Sequence, residues 1–179
     1  PEAFAGLGAH LCPEWVAEAL AAGPCGENYA KMRQRKLPVW QALWLVIGMA
    51  LFRDRSIEAV AQHLSLVLPR PGPRDGVARS ALSQARDRLG AEPVWHLFDL
   101  TAQAWGFAAA AGDLWRGLSL FGLDGCCLRV ADTPENEAAF GRPGSGRAGS
   151  GYPQIRFVAL LALRSHVLAA LNMAGFRDG

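Results

Sequence analysis

Apolar positions recur along the first hundred or so residues at the three-to-four-residue spacing of helices, and then give way to short runs suited to strands. Pro13 to Ala22 reads as a short amphipathic helix, with proline in its first turn and Gly23-Pro24 ending it. Pro38 to Phe52 reads as a second helix. Val39, Trp40, Leu43, Trp44, Val46, Ile47, Leu51 and Phe52 cover nearly all its faces, which predicts a helix buried at the centre of a first domain. Ser56 is a good N-cap for a helix from Ile57 to about Val67, with Ile57, Val60, Ala61 and Leu64 inward. Leu68 to Pro73, with three prolines, is a loop. Asp75 then caps a helix from Gly76 to Leu89, stopped by Gly90. Glu92-Pro93 opens a further helix to about Trp105, and the alanine-rich Gly106 to Gly112 reads as a linker or helix end.

From Leu118 the helical period stops. Leu118 to Val130 reads as a strand with one carboxylate, Asp124, set inside an apolar run. Burying such a group costs several kcal/mol unless something pairs it, and a metal ion is one such partner. Asp132-Thr-Pro-Glu-Asn136 reads as a turn, and Pro143 to Pro153 as a Gly/Ser/Arg-rich loop. Ile155 to Arg164 and His166 to Met173 form a hairpin turning at Ser165. Gly144-Ser-Gly-Arg-Ala-Gly149 has the spacing of a dinucleotide loop, but no strand precedes it and Tyr152-Pro153 follows instead of a helix; it also lacks the lysine of a Walker loop. The expected class is α+β, with a helical domain over residues 1–112 and the first three strands of a second domain over residues 113–179.

A hydrophobic content of 51% is ample for a core, and the net charge of +2 hides an asymmetry. Residues 31–88 hold eleven Lys/Arg against four Asp/Glu, while the remainder holds seven against twelve. The first half is therefore expected to meet a polyanion, most simply nucleic acid, the alternative being a solvated basic face. Lys31, Arg33, Arg35 and Lys36 make one candidate phosphate-contacting arm. On the helix ending at Leu89, Ala78, Ala81, Leu82, Ala85 and Leu89 share a core-facing arc, and Arg79, Ser83 and Arg86 fall together on one flank. Two short helices, one packed and the other presenting Arg and Ser outward, suit a helix placed in a DNA groove. Arg142 and Arg147, at and within the glycine-rich loop, join the candidate DNA contacts.

Cys12, Cys25, Cys126 and Cys127 form no C-x-x-C, and His10, His63, His96 and His166 are isolated, so a zinc site is not expected and a reducing compartment is. The longest apolar run, Ala42 to Phe52, falls well short of the roughly 20 residues of a membrane helix. No signal peptide pattern is visible.

The segment Leu123-Asp-Gly-Cys-Cys-Leu-Arg-Val-Ala-Asp-Thr-Pro-Glu-Asn-Glu-Ala-Ala-Phe-Gly141, followed by Tyr152-Pro-Gln-Ile-Arg-Phe-Val-Ala-Leu-Leu161, resembles the start of the catalytic domain of insertion-sequence-four-type DDE transposases. Arg35-Lys-Leu-Pro38, Leu51-Phe-Arg-Asp54 and Leu82-Ser-Gln-Ala-Arg-Asp-Arg-Leu-Gly90 resemble the family's N-terminal domain. The resemblance implies a ribonuclease-H-like fold preceded by a helical domain that contacts the terminal repeats of double-stranded transposon DNA. It implies two-metal phosphodiester hydrolysis and strand transfer, with three carboxylates holding two Mg²⁺ ions. Asp124 matches the first carboxylate, as catalytic residue and metal ligand, and Asp132 is a candidate to support it from behind. The later acids Glu135, Glu137 and Asp178 stand in no matching context. The chain therefore reads as truncated, expected to bind DNA without holding the metal pair or catalysing alone. A homodimer is one assembly open to the full-length enzyme, and a bacterial cytoplasmic, nucleoid-associated location is implied. A stand-alone DNA-binding regulator and a helical interaction domain without catalysis are the alternative readings.

Overall fold

A computed structural model describes residues 10–24, 26, 37–66, 78–112, 114–143 and 151–176. The chain divides into two compact units, Pro1–Leu100 and Thr101–Gly179. The helical run crossing that boundary has no break in composition to mark it, and the Gly106–Gly112 stretch lies wholly within the second unit.

The first unit is helical: α1 (Pro13–Ala21), α2 (Val39–Leu51), α3 (Ile57–His63), α4 (Arg79–Leu89) and α5 (Glu92–Thr101, whose last residue opens the second unit). Leu20, Leu43, Leu45, Val60, Leu82 and Leu89 are fully buried, and α2 packs against α1, α3 and α4. Helix α3 starts where expected, with the Ser56 hydroxyl accepting the Ala59 N–H at 3.2 Å. It ends early, because Leu64 caps it and Ser65 takes a left-handed backbone at φ 52°. Helix α4 starts at Arg79 with no side-chain cap from Ala78, and the expected cap Asp75 lies outside the described residues. Gly90 closes it at φ 73°, a conformation that favours glycine.

The expectation that α2 is buried all round is corrected. Trp40 and Leu51 are 46% and 54% exposed, while Ala42, Leu43, Leu45 and Gly48 are buried. Its packed stripe is made by the closest neighbours. A Cβ at Gly48 would lie 2.6 Å from Leu64 Cδ1 and 3.0 Å from Val60 Cγ1, so a side chain there would have to push Leu64 aside where glycine lets α2 lie close to α3. A hydrogen bond adds a tie at the surface, with His96 Nε2 3.0 Å from Glu18 Oε1 between α1 and α5.

The second unit opens with a π-helical turn (Ala102–Phe107) and α6 (Ala108–Ala111), so the alanine-rich stretch is helix and not linker. The π turn lies on the last strand of the chain, at Leu168 and Ala169. A Cβ at Gly106 would lie 2.6 Å from Ala169 Cα and 2.8 Å from the Leu168 carbonyl oxygen. The run expected as one strand from Leu118 is divided. A tiny hairpin pairs β1 (Leu114–Trp115) with β2 (Leu118–Ser119) across Arg116 and Gly117, whose φ values of 50° and 81° are those of a type I′ turn. Strand β3 follows (Phe121–Arg129).

Strands β3, β4 (Gln154–Ala162) and β5 (Leu168–Gly175) form an antiparallel meander in the order β3-β4-β5. The register pairs Asp124 with Ala159 and Ala159 with Leu171. Among the described residues the outer edges of β3 and β5 have no partner strand. Between β3 and β4 the expected turn is in fact helix α7 (Pro134–Phe140). Pro134 occupies its first position and the Thr133 hydroxyl accepts the Asn136 N–H at 3.2 Å, so the hydroxyl caps a helix here.

Candidate nucleic-acid interface and carboxylate strand

In the first unit, α4 buries Leu82, Ala85 and Leu89 against α2 and α3, which turns Arg79, Ser83 and Arg86 to solvent. The angular separation expected from sequence holds for these residues, but Ala78, read as core-facing, is exposed at the helix N-cap and Ala81 is only half-buried. Arg79 has its side chain 81% exposed, and its Nε lies 3.7 Å from Glu58 Oε1 on α3. A pair this long and this wet is weak, so a phosphate can take the guanidinium without a large penalty. Arg53 and Arg55, in the turn between α2 and α3, are exposed cations that the sequence pattern marks only as a polar break. A basic pair directly after a long apolar helix was the available signal. The arm residues Lys31, Arg33, Arg35 and Lys36, and Arg147, lie outside the described residues.

In the second unit, Asp124 sits in the middle of β3, where the neighbouring strand holds it in register. Its environment differs from the expected one: Asp124 is exposed, as are Cys126, Cys127 and Leu128, and Leu123 is 74% exposed. Among the described residues nothing in the second unit buries this part of the sheet, so the desolvation cost that would call for a metal partner does not arise. Asp124 Oδ1 accepts the N–H of Gly125 at 2.8 Å, which fixes the carboxylate locally and leaves its other oxygen to solvent.

Asp132 has a definite partner. Arg142 Nη2 donates to Asp132 Oδ1 at 2.6 Å and to Glu137 Oε2 at 3.0 Å, while its Nη1 donates to the Gly151 carbonyl at 2.7 Å. The Glu137 bond and then the Asp132 bond hold the guanidinium pKa above its ordinary value. Arg142 therefore links the residue before α7, a residue on α7 and the backbone beyond the glycine-rich segment. The neck of that segment is closed again by the Gln154 N–H on the Gly141 carbonyl at 3.2 Å. Sequence reading placed Arg142 among DNA contacts and Asp132 beside a metal, but each has its charge engaged by the other. Replacing Arg142 by Met is expected to lower the thermal midpoint of the second unit and leave the salt dependence of DNA binding unchanged. A direct phosphate contact would instead flatten the plot of log affinity against log salt by about 0.9. Nearby, Glu135 in the first turn of α7 has its pKa lowered, first by a backbone hydrogen bond and then by the Thr133 hydroxyl.

Those carboxylates do not fit a pair of divalent ions. Two such ions need several converging oxygen ligands, yet among the described residues no three His, Cys, Asp or Glu side chains come together as a metal-holding group. Asp132 and Glu137 converge on a guanidinium instead. Among the described residues no helix is long and apolar enough to cross a membrane.

Residues 1–99 match the pattern of the insertion element 4 transposase N-terminal domain. Over 164 residues the chain is 40% identical to the transposase InsG for insertion sequence element IS4 of Escherichia coli (strain K12), covering 92% of this chain and 36% of that protein. It is 36% identical over 170 residues to the putative transposase InsZ of the same organism, covering 94% of this chain and 54% of that one. The chain thus spans from about a third to about half of the length of these curated relatives. No solved structure matches it.

Proposed function

This chain belongs to the insertion element 4 transposase family, and we propose that its helical unit binds double-stranded DNA at transposon ends while β3 carries the first carboxylate of the catalytic site. The observation that carries the first part is the exposed Arg79–Ser83–Arg86 face on α4, in the unit where the family's N-terminal domain matches. Buried Leu82, Ala85 and Leu89 fix the rotation of that helix, so the cations are held toward solvent by packing rather than by chance. The positive excess of residues 31–88 supplies the long-range attraction.

The antiparallel meander with Asp124 at the centre of its first strand is what supports reading the second unit as the opening of a ribonuclease-H-like domain. A strand backbone held by β4 positions a carboxylate better than a loop would. The family points to a divalent metal cofactor, but the described carboxylates present only Asp124 for it, so the described residues carry the binding step and not the cutting step.

Gel-shift of a duplex with the intact chain at low and raised salt tests the binding part. The expected result is a complex at low salt that weakens as salt rises, unaffected by Asp124→Asn. Incubation of the same duplex with Mg²⁺ or Mn²⁺ should leave it uncut. Metal-dependent nicking that Asp124→Asn abolishes would contradict the assignment of this chain to binding alone, and absence of any complex at low salt would sink the DNA reading.

A further inference from the structure

The turn joining α2 to α3 holds a cluster of side chains that the α4 face does not account for. Phe52, the residue after α2, meets the His63 ring edge-on with centroids 4.8 Å apart. The Arg55 guanidinium carbon lies 5.2 Å from the Phe52 ring centroid, and Arg55 Nη1 lies 3.4 Å from His63 Nδ1. A guanidinium only donates, so Nδ1 is the acceptor and the ring proton sits on Nε2. Burial pushes the His63 pKa below its ordinary value, and nearby positive charge, Arg55 included, acts in the same direction. At neutral pH His63 is therefore an uncharged ring with one N–H to offer.

An arginine laid against an aromatic ring has lost much of its rotamer freedom before any ligand arrives, which lowers the entropy cost of a later contact. One of its five N–H groups is directed at His63, and among the described residues the others remain for an anion. The neighbouring charges are mixed: Arg53 and Asp54 share the turn, and Glu58 on α3 is drawn toward Arg79.

We propose that Arg55 and His63 form a phosphodiester-binding pair, Arg55 supplying the charge and the His63 Nε2–H a neutral hydrogen bond. The pair extends the α4 surface onto the α2–α3 turn and sets a second phosphate contact point on the same unit. It rests on the DNA-binding reading of that unit, deepening it from a helix face to a defined backbone contact.

The two roles leave different signatures, because only a charged contact releases counterions. Anisotropy titrations of a labelled duplex with the intact chain, over several salt concentrations, separate them. Arg55→Gln is expected to weaken binding roughly 5–20-fold and to flatten the slope of log affinity against log salt by about 0.9. Arg55→Lys, which keeps the charge, should restore the slope. His63→Phe keeps the ring contact with Phe52 but removes both nitrogens, and should weaken binding roughly 2–10-fold with the slope unchanged. Wild-type affinity in Arg55→Gln or in His63→Phe would overturn the pair, as would a loss of thermal stability with DNA affinity intact, which marks plain surface packing. If Arg79→Ala weakens binding while Arg55→Gln does not, the pair alone falls. If the unaltered chain binds no duplex, the DNA reading of the unit falls with it.

Discussion

Replacing Arg79 and Arg86 together by alanine is expected to weaken duplex binding roughly 10–100-fold at about 0.1 M salt, with the thermal midpoint held within about two degrees. The two effects separate because the helix is fixed by one face and offers the other. Leu82, Ala85 and Leu89 carry the packing, and neither arginine contributes to it. The 3.7 Å approach of Arg79 to Glu58 is exposed on both sides. Its loss costs little stability, and a freed Glu58 is reached by water. A fall in melting temperature that matched the fall in affinity would mean that the face supports the fold and not a ligand.

Gly106→Ala is expected to destabilise the second unit by about 1–3 kcal/mol, and a larger side chain by more. The added Cβ would fall 2.6 Å from Ala169 Cα and 2.8 Å from the Leu168 carbonyl oxygen. Both are backbone atoms of β5 or its edge, so no rotamer change relieves the clash and the π turn must lift from the sheet. Ala169 is 3% exposed, and lifting the turn would open it to water. Circular dichroism melting reports the shift, and hydrogen exchange of the β5 amides reports where it occurs. Unchanged protection in β5 would show that the turn and the sheet do not depend on each other.

The helical half was legible because its apolar spacing, the Ser56 cap and the Gly90 stop are local signals that act within a few residues. The α4 faces followed for the same reason: three buried positions and three exposed ones share one period. The one-sided burial of α2 was not legible. Its residues are apolar on every side, and which side packs is decided by the close approach at Gly48, a contact with α3 that no periodicity reports. For Gly106 to Gly112 the sequence left linker and helix end open, and the tight contact with β5 that goes with the helical outcome is tertiary.

In the second unit the strands and their hairpin order were readable, including the turn near Ser165, but the surroundings of Asp124 were not. An apolar run in sequence suggests burial, whereas exposure depends on what lies over the sheet, and among the described residues of this unit nothing buries β3 from Leu123 to Arg129. Thr133-Pro134 was read as turn chemistry, while the same hydroxyl and ring serve as cap and first residue of α7. The Arg142 cluster joins residues ten and nine positions away from it through tertiary contact, which no motif announced. It engages three charges that composition alone would count as available.

The central claim is that the helical unit recognises the phosphate backbone of duplex DNA. The most direct test is the slope of log affinity against log salt for the intact chain on a duplex of about three helical turns. Each neutralised phosphate contributes about −0.9 to it, so contacts from Arg79, Arg86 and Arg55 predict a slope of roughly −3 or steeper. A slope near zero, or no measurable binding at low salt, would contradict the account.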